Sequence, residues 1–193
     1  KTPNEPDYVK IGFKQGTPVS LNGKDVDGVK LIEELNRIGG KHGVGQVDLV
    51  ENRLVGMKSR GAYETPGGTI LMTAHKALES LTLERETMHY KQQVALKYAE
   101  LVYYGQWFSP LREALDTFIN VTQKNVSGEV RVKLFKGRCT PAGVTSPNSL
   151  YNPKLASFTM GAEYNPTDAT GFIRLFGLPM KVAAAVNRNK KEK

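Results

Sequence analysis

The order in which hydrophobic spacing changes along the chain limits the choice of fold more than any other sequence feature. Apolar and polar residues alternate in residues 8–13 and again in residues 129–135, and this spacing is typical of antiparallel strands with one buried face. Between these segments, apolar residues recur mainly at helical spacing. Strands at both ends of a helical middle predict an α+β fold with a mixed or antiparallel sheet, and they argue against a doubly wound parallel sheet.

Turn and capping residues divide the chain further. We expect a return strand over residues 19–21, a strand over 45–50, a short second strand at Leu54 and Val55, and a ragged hairpin and loop over 136–152. The predicted helices are residues 29–38, a long helix capped by Thr69, residues 87–104, a helix starting at Ser109-Pro110, one starting at residues 165–168, and a terminal helix from about Met180. The residues expected to face the core are Ile70, Ala74, Leu78, Leu81, Leu111, Leu115, Phe118 and Ile119.

Composition excludes several classes of protein. The 193 residues, of which 39% are hydrophobic, suffice for a core. The sequence has no apolar run of about 18 residues and no apolar segment near its start, so we expect neither a membrane span nor a signal peptide. The lone Cys139 excludes an internal disulfide framework, and we expect it to be partly buried. We interpret Lys1 as a cut inside a longer polypeptide, with removal of an initiator Met or processing as alternatives.

Two groups of residues resemble functional motifs without their context. The glycines of residues 39–45 follow a predicted helix and precede a strand, whereas a phosphate loop follows a strand and precedes a helix. We therefore expect them to end the helix. His42, His75 and His89 lack the spacing of metal ligands, so we predict no metal site and expect a turn residue and two helix-face residues. No serine stands in a nucleophile elbow, and we assign no catalytic residue.

The segment from Glu51 to Pro66 concentrates polar residues directly after a predicted strand, where binding sites are often built. The carboxylate of Glu51 can accept hydrogen bonds from an ammonium group, and the phenol of Tyr63 can donate one to a carboxylate. Together the two groups suit the zwitterionic head of an amino acid if the loop doubles back. The alternative is a solvated loop held by salt bridges.

This segment also resembles a known family. Residues 50–69 read VENRLVGMKSRGAYETPGGT, and this run is similar to one that argininosuccinate synthetases carry at the start of a long helix. Further similarities to that family follow in chain order. They are HGVG at 42–45, KYAELVY at 97–103, SP at 109–110, SPNSLY at 146–151 and DATGFI at 168–173. The resemblance thus spans nearly the whole chain, and it corresponds to the C-terminal half of that enzyme.

The resemblance implies a role and a division of the chain. It implies that Glu51 and Tyr63 help to bind citrulline, and that Lys58 and Arg60 contact phosphate or a neighbouring subunit, unless both form surface salt bridges. It further implies a catalytic and multimerisation domain over residues 1–178 and a C-terminal oligomerisation helix over 179–193. The nucleotide-binding domain, with the Ser-Gly-Gly-x-Asp-Thr-Ser loop for ATP, is absent from this sequence.

The reaction that the resemblance implies is the ATP-dependent joining of citrulline and aspartate to argininosuccinate, with release of AMP and pyrophosphate. Mg²⁺ accompanies the ATP, the enzyme is a homotetramer in the cytoplasm or an organelle, and neither nucleic acid nor a membrane is a partner. On this basis we expect the 193-residue chain alone to be inactive. The sequence departs from the family pattern at Val144, where Arg is usual, and at residues 139–141, where Pro141 puts an edge strand in doubt.

Two alternatives remain open. The formal charge of +8 suggests a nucleic-acid-binding module, which would need aromatic residues interleaved with basic ones on one face. The aromatic cluster Tyr103, Tyr104, Trp107 and Phe108 has only Lys97 and Arg112 nearby. The second alternative is an oligomerisation module whose loops do no chemistry, with the apolar residues 182–186 and the basic tail as its arm.

Overall fold

A computed structural model describes residues 1–156 and 165–191 of the chain. Its residues form two compact units, Lys1–Leu150 and Tyr151–Lys193. The α+β class predicted from the order of strands and helices is confirmed, since antiparallel sheets and helices both occur within the first unit. The division after residue 178 was drawn by function and stays a prediction, although a break between two helices does fall at Gly177.

The first unit is built on a five-stranded antiparallel sheet. Its strands are β1 (Asp7–Lys14), β2 (Thr17–Leu21), β3 (Lys24–Asp25), β6 (Gly128–Phe135) and β7 (Arg138–Thr145), in the order β3-β2-β1-β6-β7. The two clearest predicted strands, β1 and β6, lie side by side at the centre, where Val9 faces Val132 and Ile11 faces Val130. One face of both strands is buried, as their alternation predicted.

Two helices cover this buried face. Helix α1 spans Gly28–Lys41 and helix α2 spans Pro66–Thr82, and α2 packs on β6 and β7 while α1 packs on α2. The apolar stripe of α2 is confirmed at Ile70, Ala74 and Leu78, which are fully buried. The helices and the inner face of the sheet enclose one hydrophobic core. Each fully buried large apolar side chain of such a core stabilises the folded state by roughly 1.5–3 kcal/mol.

Two further helices follow the core helices. Helix α3 spans Arg85–Tyr103 and α4 spans Pro110–Thr122, and Ser109 caps α4 by accepting a hydrogen bond from the Arg112 N–H. Ser109-Pro110 is therefore confirmed as a helix start. The expected inward face of α4 is only half-buried at Leu115, Phe118 and Ile119, and Leu111 is exposed.

Two local predictions are wrong. Thr69 lies inside α2, which begins at Pro66 after the N-cap residue Thr65, because the fixed φ of proline suits the first helical position. Leu54 and Val55 form a turn instead of a strand, closed by a hydrogen bond from the Gly56 N–H to the Arg53 carbonyl. Gly56 has φ +87°, a conformation that favours glycine and suits a turn between two strands.

The edge strand β7 forms despite containing Pro141. Pro141 lies in β7, which has β6 on one side only, and it faces Val132 where the strand register shifts. An edge position with a local irregularity tolerates the missing N–H donor. Val144 packs partly buried against the core, and so does Cys139, whose thiol pKa is raised by burial.

The second unit contains helices α5 (Asp168–Phe176) and α6 (Leu178–Lys191). Both were predicted, and their apolar side chains are exposed within the described residues, Phe172, Phe176 and Val182 among them. No single described helix has the length and apolar composition needed to cross a membrane; α5 and α6 together reach them, with a 44° bend between the two. The predicted tail includes residues 192–193, which lie outside the described residues.

Candidate functional site

A separate two-stranded ribbon carries the residues singled out by their chemistry. Strand β4 (Gln46–Asn52) pairs antiparallel with β5 (Lys58–Glu64) in a sheet of its own. The residues between them form a tight turn, in which the Arg53 N–H donates to the Met57 carbonyl over 2.8 Å. The predicted strand over residues 45–50 is thus confirmed, and the predicted loop after it is instead a strand that doubles back.

The register of the ribbon assigns its side chains to two faces. Glu51 lies opposite Ser59, and Val47 lies opposite Tyr63. Because alternate residues of a strand point to the same face, Glu51 and Tyr63 share one face. Lys58 lies opposite Asn52, and Arg60 opposite Val50, so these two basic residues belong to the other face.

Glu51 and Tyr63 are in direct contact. The Tyr63 hydroxyl donates a hydrogen bond to Oε1 of Glu51 over 2.7 Å. The side chain of Glu51 is 25% exposed, and Tyr63 is 42% exposed, so a solute can reach both groups. The hydrogen bond to the Glu51 carboxylate raises the pKa of the Tyr63 phenol, which keeps the phenol protonated as a donor.

Two further side chains lie near this carboxylate. An Nη2 of Arg53 is 3.5 Å from Oε1 of Glu51, and the Ser59 hydroxyl is also 3.5 Å from that atom. Both distances exceed those of strong hydrogen bonds, so the Tyr63 contact dominates. The sequence placed Arg53 and Ser59 in the polar segment without a role, and only the strand register shows that Ser59 faces Glu51.

The other face of the ribbon is held by its own polar pairs. Arg60 donates two hydrogen bonds to the Asp48 carboxylate, over 2.8 and 2.6 Å, and this pair lowers the pKa of Asp48. Lys58 donates to the Asn52 side chain over 2.8 Å. The surface-pair alternative therefore describes the contacts seen within this chain. The prediction that Lys58 and Arg60 contact phosphate or a neighbouring subunit stays a prediction.

The end of helix α3 contacts the turn of the ribbon. The Tyr103 hydroxyl donates to the backbone carbonyl of Asn52 over 3.4 Å. An open cleft of about 470 Å³ lies between the ribbon turn and the helix, lined by Asn52, Arg53, Leu54, Ala99, Glu100, Tyr103 and Tyr104. Tyr103 and Tyr104, two members of the aromatic cluster weighed in the sequence as part of a nucleic-acid site, thus lie beside the ribbon turn.

Comparison with known proteins places these residues in a family. The family model described as the arginosuccinate synthase C-terminal domain matches residues 1–183. The chain belongs to this family. Argininosuccinate synthase of Roseiflexus sp. is 65% identical over 94% of this chain and 45% of that protein. The enzymes of the same name from Desulfitobacterium hafniense and Moorella thermoacetica are 64% and 60% identical, over 96% and 97% of this chain and 46% of each relative.

The chain spans about half the length of the curated relatives it matches. The resemblance to argininosuccinate synthetases, inferred from the run at residues 50–69 and from five further motifs, is therefore confirmed at the level of the family. The match to a model of the C-terminal domain also confirms which half of the relatives this chain corresponds to.

Two of the three histidines lie in structural surroundings, and His89 is exposed on α3. His42 follows α1 and is fully buried, with Nε2 2.9 Å from Oδ2 of Asp7. Helix α1 continues through Gly39 and Gly40, which were predicted to end it, and stops at Lys41, shortly before Gly43 with φ +68°. His75 lies on α2 and contacts the Gln123 side chain over 2.9 Å. Across residues 1–156 and 165–191, no group of three or more His, Cys, Asp or Glu side chains is placed to hold a metal ion.

Proposed function

We propose that this chain is the citrulline-binding and subunit-contacting part of an ATP-dependent ligase that joins citrulline and aspartate to argininosuccinate. The observation that carries the proposal is the 2.7 Å contact between Tyr63 and Glu51 on one accessible face of the ribbon. Family membership supports it, because the relatives that share this chain's sequence are named argininosuccinate synthase. The ligase acts in the cytoplasm, with an organelle as the alternative location.

The two side chains orient the substrate and take no part in bond making. Glu51 accepts hydrogen bonds from the ammonium group of citrulline, and Tyr63 donates to its carboxylate. A zwitterion binding here replaces the mutual Tyr63–Glu51 hydrogen bond with one bond to each group. Holding the amino-acid head fixes where the ureido oxygen points, and positioning of this kind accounts for much of the rate in phosphoryl-type transfers.

ATP and Mg²⁺ belong to the other half of the ligase in this proposal. The described residues offer no three-carboxylate or similar cluster for Mg²⁺, and the glycines of residues 39–45 stand on the wrong side of a helix for a phosphate loop. The donor set of the ribbon face, one carboxylate and one phenol, fits an amino acid and does not fit a nucleotide. No step of the reaction is therefore assigned to metal-binding residues of this chain.

Removal of the Tyr63 hydroxyl tests the proposal. In the complete ligase containing this chain, Tyr63→Phe should raise the KM for citrulline about five- to tenfold, because one hydrogen bond to a charged group is lost from a half-exposed site. The KM for ATP should change by less than about twofold. Initial rates measured against each substrate in turn check this, and an unchanged KM for citrulline would refute the assigned role.

The exposed helices of the second unit support a second role, assembly. Helix α6 presents Val182 and Val186 to solvent, and α5 presents Phe172, Leu175 and Phe176. Such side chains are normally covered in an assembled protein. We propose that they form the subunit-contacting arm of a homotetramer.

Truncation after Met180 tests the arm. The shortened protein should lose the tetramer in light scattering, giving dimers or monomers at the same concentration. Lys190→Gln is the control, because it changes only the charge of the arm at a solvent-exposed position. It should leave the tetramer intact. A tetramer in the truncated protein would show that α6 is a frayed end and not an arm.

A further inference from the structure

Gly61, which lies between Ser59 and Tyr63 on the ribbon face, stands where a side chain would collide with the Tyr63 ring. Gly61 lies on the same face as Ser59 and Tyr63, since the three alternate along β5. A methyl group built on Gly61 would lie 2.5 Å from Cε2, 2.6 Å from Oη and 2.7 Å from Cζ of Tyr63. The phenol ring therefore lies directly over Gly61.

The strand register explains why the ring must lie there. Glu51 faces Ser59, which is four residues before Tyr63 along β5, a separation of roughly 13 Å at the rise of a β-strand. Side chains of a strand ordinarily stand upright from the sheet. To bring its hydroxyl 2.7 Å from Glu51, Tyr63 instead lies along the strand, and the path to Ser59 crosses position 61.

Backbone conformation does not explain this glycine. The described glycines with positive φ include Gly43, Gly45 and Gly56, whereas Gly61 has an ordinary strand conformation. A glycine inside a strand loses more conformational entropy than alanine and weakens the strand by roughly 0.5–1 kcal/mol. Such a glycine commonly marks a place where another group approaches closely, and here the group is the phenol ring.

We infer that Gly61 is a positioning residue, whose missing side chain lets the Tyr63 phenol reach across the ribbon to Glu51. Its importance for citrulline rests on the proposed function, whereas its effect on the Tyr63–Glu51 contact does not. A larger residue at position 61 lifts the ring from the surface and separates the hydroxyl from the carboxylate. Tyr63 then points toward solvent, and the two halves of the amino-acid site no longer converge.

The first test measures the Tyr63–Glu51 contact itself. The 193-residue chain is labelled with ¹³Cζ-tyrosine, and the Tyr63 signal is assigned by its disappearance in Tyr63→Phe. In Gly61→Ala, the pKa of the Tyr63 phenol should fall from its raised value toward the value found in Glu51→Gln. An unchanged Tyr63 titration in folded Gly61→Ala overturns the inference.

A matched glycine in another strand provides the control. Gly143 lies in β7, and a methyl group built on it meets no atom within 4 Å. Gly143→Ala should leave the Tyr63 titration as in the unsubstituted chain. If Gly61→Ala lowers the melting temperature so far that the titration fails, Gly61→Ala/Tyr63→Ala should restore the melting temperature, since the colliding ring is gone. Failure of this double variant to recover also overturns the inference.

The second test separates the positioning role from the proposed function. In the complete ligase, Gly61→Ala should raise the KM for citrulline about as much as Tyr63→Phe does, about five- to tenfold. The double variant Gly61→Ala/Tyr63→Phe should show little further increase, because both changes remove the same interaction. Additive increases overturn a role that acts through Tyr63. A shifted Tyr63 titration with an unchanged KM for citrulline would leave the positioning intact and would refute the proposed substrate role of the pair.

Discussion

Replacing Glu51 by Gln in the complete ligase should weaken citrulline binding by about 10- to 100-fold while ATP binding stays within about twofold. A hydrogen bond to a charged partner contributes about 1.5–3 kcal/mol, and each 1.4 kcal/mol corresponds to a factor of ten. Gln keeps the shape of the side chain and an accepting oxygen but removes the charge that the ammonium group meets. Because the Glu51 side chain is 25% exposed, solvent screening favours the lower part of the range.

The same strand offers a matched control on its opposite face. Asp48 is a carboxylate three residues earlier in β4, and it pairs with Arg60 away from Glu51 and Tyr63. Asp48→Asn changes the net charge equally and should alter citrulline affinity by less than about twofold. Calorimetric titration of citrulline into both variants gives the comparison. Equal affinities in Glu51→Gln and the unsubstituted ligase, or equal losses in both variants, would contradict the assignment.

The central fold could be predicted because its signals are local. Strands β1 and β6 alternate cleanly, and their apolar residues are those that meet α1 and α2. The stripe Ile70, Ala74 and Leu78 repeats every four residues and identifies the buried side of α2. In each case the spacing of apolar residues indicates both the type of secondary structure and the face that is buried.

Strand β5 of the ribbon could not be predicted in the same way. Strand β5 reads Lys-Ser-Arg-Gly-Ala-Tyr-Glu and has no apolar alternation, because none of its residues is buried. A strand without a buried face leaves no hydrophobic period in its sequence. The pairing of Glu51 with Tyr63 followed from their chemistry and from the family motif. Placing Lys58 and Arg60 on the other face required the register, since a shift of one residue exchanges the faces.

A buried charge on helix α2 was also missed. Glu79 directly follows the buried Leu78, and charged residues are rarely buried unless they are paired. Its partner, Lys91, comes from α3, and the two atoms Nζ and Oε1 are 2.9 Å apart. Gln123 donates to the same oxygen over 2.8 Å, and His75 Nδ1 lies 3.7 Å from the other oxygen. Such a network depends on three separate segments and has no local sequence signal.

This network fixes the start of the helix whose end contacts the ribbon. Lys91 lies in the second turn of α3, and Tyr103, the last residue of α3, donates to the Asn52 carbonyl at the ribbon turn. Helix α3 therefore carries a buried ion pair near one end and makes a long, 3.4 Å contact with the ribbon turn at the other. Loosening the pair should affect both the stability of the unit and the contact with the ribbon.

Lys91→Met should lower the free energy of unfolding by about 2–3 kcal/mol. Breaking a buried ion pair from one side typically costs 3–5 kcal/mol, because the remaining charge stays buried without a counterion. Here the side chains of Glu79 and Lys91 keep 10% and 16% of their exposure, and Gln123 still donates to the carboxylate, so the loss falls below that range. Urea unfolding at constant pH measures it.

The same helix provides a surface pair for comparison. Lys97 pairs with Glu100 over 2.6 Å, with 48% and 43% of the two side chains exposed, and such pairs contribute only about 0.3–0.5 kcal/mol. Lys97→Met should therefore change the free energy of unfolding by less than about 0.5 kcal/mol. Adding Glu79→Leu to Lys91→Met should recover much of the loss, since no unpaired charge then remains buried. Equal losses in Lys91→Met and Lys97→Met would show that burial of the Glu79 carboxylate contributes nothing to holding α3.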